Sequence, residues 1–170
     1  MTVALVLVGA PGSGKSTVGR ALAEELGVSF RDTDADIEAA AGHSVHDIFV
    51  LDGEERFRAL EQDAVRDALA EHDGVLALGG GAVLSEPVRQ ALRGLPVMWL
   101  QVDAAAAVER VGLSGPRPVL LGNIRHRWSE LLAERAPLYE SVARWAIDTT
   151  DRAPAEVCQE ILRRMRARDE

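Results

Sequence analysis

Gly9-Ala10-Pro11-Gly12-Ser13-Gly14-Lys15-Ser16 follows the spacing G-x-x-x-x-G-K-[ST], which wraps backbone N–H groups around a phosphate. The glycines let the chain curl tightly, and the helix that follows turns its partly positive N-terminus toward the anion. In such a loop Lys15 reaches the β- and γ-phosphates and the Ser16 hydroxyl ligates Mg²⁺, a cation that prefers oxygen. Gly12, Ser13, Gly14, Lys15, Ser16 and Thr17 are the expected nucleotide-binding residues. Composition singles out the lysine too. The chain has 19 basic residues, and all but Lys15 are arginine. A position that keeps a compact ammonium in an arginine background needs that ammonium and not a planar fork. The motif specifies a nucleotide. It does not specify a reaction, because switches, ATPases and small-molecule kinases share it.

Three other groups carry chemistry. Asp32 and Asp34 flank Thr33 just beyond an apolar run, where ligands bind in an open parallel sheet. Either one carboxylate holds a Mg²⁺-bound water while the other takes a hydroxyl proton, or the pair caps a helix. Gly79-Gly80-Gly81 ends a later apolar run, and is either a place where a ligand touches backbone or an ordinary turn. Arg58 and Glu61 share one helix face. They are either a carboxylate-binding fork with its support or a surface ion pair. Phe49 and Phe57 read as core.

These residues need elements to position them. Val3–Val8 is a continuous apolar run, as in a strand buried on both faces. Val18, Ala21, Leu22 and Leu26 have helical spacing, and Gly27 ends that helix. Further strands are expected at Val28–Arg31, Val75–Leu78, Val97–Gln101 and Trp145–Asp148. Helices are expected from Ser44 with Asp47, through Phe57 to Ala68, over Ser85–Arg93, and from Asp103 to near Gly112. Two more follow, from Asn123 to Ala136 with Pro137 as the stop, and through Val157, Ile161 and Met165. Residues 112–122 read as a mobile glycine-rich loop. Alternation of this kind predicts a parallel sheet with helices on both faces. Residues 1–170 read as a single domain without repeats or linkers.

Composition bounds the partners. A net charge of −8 argues against unspecific binding to nucleic acid or anionic membrane. Cys158 is the only cysteine, so a disulfide framework and a thiolate metal site are excluded, and a reducing, cytoplasmic setting is expected. His43, His46, His72 and His126 show no metal-ligand spacing. Val3–Val8 is too short to span a membrane and lacks the basic flank of a signal peptide. Arg163-Arg164-Met165-Arg166 reads as a solvated terminal face. A monomer is expected.

Taken together, Gly9–Thr17, Asp32-Thr33-Asp34, Arg58-x-x-Glu61, Val75–Gly81, Arg117-Pro118 and Arg135-Ala136-Pro137-Leu138-Tyr139 resemble the shikimate kinase family along essentially the whole chain. The arginine–glutamate and triple-glycine combination is the specific part. The resemblance implies an α/β P-loop kinase fold like that of nucleoside monophosphate kinases. That fold is a three-layer sandwich whose five-stranded parallel sheet is ordered 2-3-1-4-5, with a lid at about 112–122 and an acceptor-binding region at about 32–61. It implies transfer of the ATP γ-phosphoryl to the 3-hydroxyl of shikimate, giving shikimate 3-phosphate and ADP on the route to chorismate and the aromatic amino acids. By likeness Lys15, Asp34 and Arg117 are catalytic. Asp34, Arg58, Gly79, Gly80, Gly81 and Arg135 bind shikimate, with the two arginines on its carboxylate. Ser16 and Asp32 serve Mg²⁺, and Arg110 and Pro154 flank the adenine. Leu78 stands where many P-loop proteins have a metal-binding aspartate, an absence that the family shares. A kinase for another polyol acid, such as gluconate, and a non-enzymatic nucleotide-binding regulator are the alternatives. The acceptor motifs argue against both.

Lys15 carries the chain's only lysine amine. Amine-reactive labelling mapped by mass spectrometry should find it protected by Mg²⁺–ATP. Equal labelling with and without nucleotide would count against the phosphate cradle.

Overall fold

The computed structural model describes residues 2–112 and 121–168. The chain alternates strands β1 (Leu5–Val8), β2 (Phe30–Asp32), β3 (Val75–Ala77), β4 (Val97–Gln101) and β5 (Trp145–Asp148) with helices. The helices are α1 (Lys15–Leu26), α2 (Thr33–Ala41), α3 (Val45–Asp52), α4 (Glu54–Glu71), α5 (Glu86–Ala91), α6 (Ala104–Gly112), α7 (Leu121–Val142) and α8 (Pro154–Arg166). All strand pairs are parallel and the order is β2-β3-β1-β4-β5, as the resemblance implies.

β1 is central and fully buried, and its period of two divides the core. Val6 and Val8 join Leu76, Leu78, Val97 and Tyr139 on the face covered by Val65 and Ala68 of α4 and Val88 of α5. Leu5 and Leu7 join Met98, Leu100 and Ile147 on the face covered by Val18 and Leu22 of α1 and by Val157 and Ile161 of α8. Two helical layers therefore sandwich the sheet. A smaller cluster of Ile37, Ile48 and Phe57 ties α2, α3 and α4 together beside it.

Local signals account for most boundaries. Gly27 closes α1 in the left-handed conformation, with its N–H bonded to Ala23 and Glu24 carbonyls. The Ser44 hydroxyl accepts from the Asp47 N–H at 3.1 Å and starts α3. Asp103 does the same for α6, accepting from the Ala106 N–H at 2.7 Å.

Three expectations shift. β2 runs from Phe30 to Asp32 rather than from Val28 to Arg31, which brings Asp32 to the strand's end. α2 follows at once, although its acidic, alanine-rich sequence shows no apolar stripe. Only Thr33 and Ile37, one turn apart, are buried in it. α7 does not stop at Pro137 but passes through it. Proline removes the bond to the carbonyl four residues back, at a typical cost of ~3 kcal/mol. Packing outweighs that loss, because Leu138, Tyr139 and Val142 beyond it lie against the core. The terminal basic run is also only partly solvated. Arg164 donates to the Ala146 carbonyl at 2.7 Å, and Met165 packs on the second core. Arg117 and residues 113–120 of the expected lid lie outside the described residues. Among the described residues, no helix is long and apolar enough to cross a membrane.

β2 and β3 meet tightly at Gly74, where an added Cβ would strike the Ser29 carbonyl. That carbonyl accepts the Val75 N–H at 2.9 Å, so no side-chain rotation relieves the clash. Gly74→Ala should destabilise the protein by about 1–3 kcal/mol in urea unfolding. An unchanged midpoint would show that this strand pairing tolerates separation.

Candidate active site

The loop between β1 and α1 forms the floor of a cavity of about 410 Å³. Gly12, Gly14, Lys15, Ser16, Thr17, Asp32, Asp34, Gly80 and Arg110 are among its lining residues, so one cavity unites the nucleotide and acceptor motifs. Gly14 precedes α1 with φ at +91°, a conformation that favours glycine. The Lys15 ammonium donates to the carbonyls of Gly9 at 2.7 Å and Ala10 at 3.0 Å, which holds it over the loop. Burial pushes its pKa down to about 8, against the opposing pull of Asp34 and Asp32. Ser13 is buried and its Oγ has no partner among the described residues.

Asp32 caps a helix and also faces the phosphate loop. Its Oδ1 caps α2 by accepting from the Asp34 N–H at 2.9 Å. Its Oδ2 accepts from the Ser16 hydroxyl at 3.0 Å, which sets two oxygens side by side. Asp34 differs. Its Oδ1 is buried without a hydrogen-bond partner among the described residues. Burial, then the negative charges of Asp32 and Glu61, push its pKa up to about 6.

The glycine triplet is the wall opposite. A Cβ on Gly79 would lie 2.6 Å from Asp34 Oδ1 and 2.7 Å from Glu61 Oε2, so these carboxylates converge on bare backbone. A Cβ on Gly81 would collide with the Arg58 guanidinium. The triplet is no ordinary turn. It lets three side chains from two helices reach the chain itself.

Arg58 and Glu61 form an inward pair, not a surface one. Glu61 is 2% exposed and Arg58 19%, and Nη1 donates to Glu61 Oε1 at 2.7 Å. The guanidinium lies 5.6 Å from the Phe49 ring centre and 5.2 Å from that of Phe57. These rings flank the cation as well as filling the core. Burial raises the Glu61 pKa, and the hydrogen bond and charge of Arg58 oppose that rise. Arg135 comes from α7. Its charge acts on Lys15, Glu61 and Tyr139.

On the other flank Arg110 donates to the Gly12 carbonyl at 3.0 Å, to Thr149 Oγ1 at 3.1 Å and to the Thr149 carbonyl at 2.8 Å. Pro154 is exposed at the first position of α8 and does not line the cavity. Sequence reasoning gave no role to Thr33, Tyr139 or Thr149. Thr33 is buried and its Oγ1 accepts the Gly79 N–H at 3.2 Å. Its position between two site aspartates was the available signal. Buried Thr149 hydrogen-bonds Gln101 across the sheet and had no local signal.

The arrangement sets a phosphate-cradle loop beside a glycine wall on which Asp34, Glu61 and Arg58 converge. Such a site can hand a phosphoryl group to the hydroxyl of a small anion. Known proteins match it. A family model described as shikimate kinase covers residues 11–166. The shikimate kinase of Thermobifida fusca (strain YX) is 54% identical over 162 residues, covering 95% of this chain and 94% of that one. That of Mycobacterium tuberculosis (strain ATCC 25177 / H37Ra) is 53% identical over 161 residues, covering 94% and 92%. The structure of the Acinetobacter baumannii shikimate kinase in complex with shikimate superposes with a TM-score of 0.89 at 36% identity, covering 96% and 93%. With the phosphate loop, Asp34 and Gly80 lining one cavity, and this likeness from end to end, the chain belongs to the shikimate kinase family.

Proposed function

We propose that the chain transfers the γ-phosphoryl group of ATP to the 3-hydroxyl of shikimate, as one catalytic domain acting as a cytoplasmic monomer. The observation that carries this reading is the unpaired, buried Oδ1 of Asp34. It faces the glycine wall in the cavity that also holds the Lys15 loop. Family membership supports the reaction, and the shikimate-bound relative supports the acceptor.

Each residue then has a task. The loop from Gly12 to Thr17 holds the phosphates, and Lys15 neutralises the charge that moves between them. Ser16 and Asp32 suit Mg²⁺, since a hydroxyl and a carboxylate already lie 3.0 Å apart on the cavity. When bound, that ion would supply neutralisation of phosphate charge. Asp34 accepts the proton of the acceptor hydroxyl. Arg58 and Arg135 hold the carboxylate, and the backbone of Gly79, Gly80 and Gly81 meets the ring hydroxyls. Arg110 and Pro154 are assigned to the adenine. Arg117 is assigned to the phosphates and to lid closure, which excludes water.

Asp34→Asn keeps the shape of the side chain and removes its proton affinity. It should lower kcat by about 10²–10⁴-fold while Mg²⁺–ATP still binds. The sign of the pH effect follows from the raised pKa. Asp34 is ionised above about pH 6, so kcat/KM for shikimate should fall as pH drops through that value, and Asn should abolish that limb. Near-normal turnover in the variant would reduce Asp34 to a structural residue.

Arg58→Ala and Arg135→Ala should each weaken shikimate binding by about 2–5 kcal/mol and leave ATP binding nearly unchanged. The two losses should be non-additive, because both forks act on one group. A shikimate analogue with the carboxylate reduced to an alcohol should bind wild type poorly and lose little more in either variant. Equal losses for both ligands would mean that the arginines hold the fold and not the carboxylate.

A further inference from the structure

Arg110 lines the nucleotide cavity from α6 and is exposed. A long exposed side chain loses rotamer freedom each time it takes a ligand. Here the fork is already held. Nη1 donates to Thr149 Oγ1 at 3.1 Å and Nη2 to the Thr149 carbonyl at 2.8 Å, so one residue takes both arms. Nη1 also donates to the Gly12 carbonyl of the phosphate loop at 3.0 Å. The Thr149 hydroxyl has a single proton to give. Its acceptors are the Gln101 carbonyl at 2.8 Å and the Ser13 carbonyl at 3.3 Å. Thr149 is 2% exposed, and its N–H donates to the Gln101 carbonyl at 2.8 Å, which continues the pairing of β4 with β5.

We propose that Thr149 is a positioning residue for the nucleotide: its hydroxyl, anchored on the end of β4, fixes the plane of the Arg110 guanidinium against the phosphate loop. This deepens the function proposed above and rests on Arg110 being a nucleotide ligand.

Three observations separate this role from that of an ordinary core threonine. A buried hydroxyl needs one acceptor, and the Gln101 carbonyl supplies it. The bond from Arg110 is additional, and a charged donor makes it a strong one. Next, α6 presses directly on the phosphate loop. A Cβ on Gly12 would lie 2.9 Å from the Ala107 carbonyl and 2.9 Å from Val111 Cγ2. Any sliding of α6 would carry the guanidinium along the loop, and the two bonds to Thr149 oppose that sliding. Last, the Thr149 carbonyl also accepts the Arg152 N–H at 3.2 Å. That bond turns the chain toward Pro154, the other residue assigned to the adenine. One residue therefore sets Arg110 on one flank and starts the turn to Pro154 on the other. A guanidinium oriented before the ligand arrives loses less entropy when the ligand binds.

Thr149→Val removes the hydroxyl and keeps a β-branched side chain of similar size. The Kd for Mg²⁺–ADP, read by titration calorimetry, and the KM for Mg²⁺–ATP should each rise about tenfold, the size of a lost hydrogen bond to a charged partner. The Kd for shikimate should stay within about twofold. Thr149→Ser restores the hydroxyl and should return nucleotide affinity to within about threefold of wild type. Nucleotide affinity close to wild type in the valine variant overturns the proposal. So does equal weakening of both substrates, which marks a core residue, and so does a serine variant as weak as valine, which marks lost methyl packing. Arg110→Lys keeps the test open should the valine variant fold poorly, because Arg110 is exposed. Lysine keeps the charge but has no fork to span both Thr149 oxygens, so nucleotide affinity should fall there too, and unchanged affinity overturns the proposal. Arg110→Ala separates the two levels of inference. Unchanged nucleotide affinity in that variant removes the adenine assignment of Arg110 and the role of Thr149 with it. Weakened affinity there, beside an unaffected Thr149→Val, removes the role of Thr149 alone. Adding Thr149→Val to Arg110→Ala should cost little more, since both act through one fork, and fully additive losses overturn the proposal. The ADP titration contains no acceptor, so a failure of shikimate as substrate would leave this test standing.

Discussion

One carboxylate ties the two halves of the site together. Asp32 accepts from the Ser16 hydroxyl on one oxygen and from the Asp34 N–H on the other. The first bond reaches the start of α1, where the phosphate cradle ends. The second fixes the start of α2, and with it the direction of Asp34. A phosphoryl transfer site must hold donor and acceptor within a fraction of an ångström of the reactive geometry. Here the registration passes through a single side chain at the end of β2, the strand paired with β3 from Phe30↔Val75 to Asp32↔Ala77. The glycine wall follows directly from β3. Sheet register therefore sets the depth of both the base and the wall it faces.

Charge imposes the second constraint. A chain of net charge −8 has to bring two anions together, so its cations must be local and held. Lys15 is held by loop carbonyls. Arg58 is held by Glu61 and by two aromatic rings. A buried ion pair adds little net stability, since desolvation offsets most of the attraction. Its value here is orientation. Glu61 engages Nη1, and the planar fork is fixed before any ligand arrives, which lowers the entropy lost on binding. Glu61 also faces Gly79 beside Asp34, so the residue that orients the arginine also contributes to the environment of the base.

Much of this was legible in the sequence because the signals are local. Gly9 to Ser16 needs only its own spacing, β4 and β5 begin and end where their apolar runs do, and Gly27 and Ser44 announce helix ends by their own chemistry. Asp32 and the Arg58–Glu61 pair were legible as residues but not as geometry, since the sequence does not show that Ser16 lies across the gap from Asp32. α2 was hidden because only Thr33 and Ile37 face inward, and two residues make no period. Pro137 misled because a local rule met a tertiary one, and the core contacts of Tyr139 and Val142 were stronger. Thr149 was invisible in the sequence. Its partners include Gln101, across the sheet, Arg110, on α6, and the Ser13 carbonyl of the phosphate loop.

The placement of Asp34 among other acids has a catalytic logic. A free aspartate is a weak base, and a base works best when its pKa approaches the working pH. Burial raises that of Asp34 to about 6, and the charges of Asp32 and Glu61 add to the rise while Lys15 limits it. Asp32 has both oxygens hydrogen-bonded, whereas the buried Oδ1 of Asp34 has no hydrogen-bond partner among the described residues. Two aspartates separated by one residue thus suit the different tasks proposed for them because their surroundings differ. Lys15 completes the balance. It opposes the rise at Asp34, and the two aspartates in turn support its charge against burial. Engaging Lys15 with phosphate would draw that ammonium toward the nucleotide and leave Asp34 with less compensation. In the proposed reaction the base would then become stronger in the complex in which a proton has to be taken, so the residue proposed to secure the donor would also tune the acceptor's base.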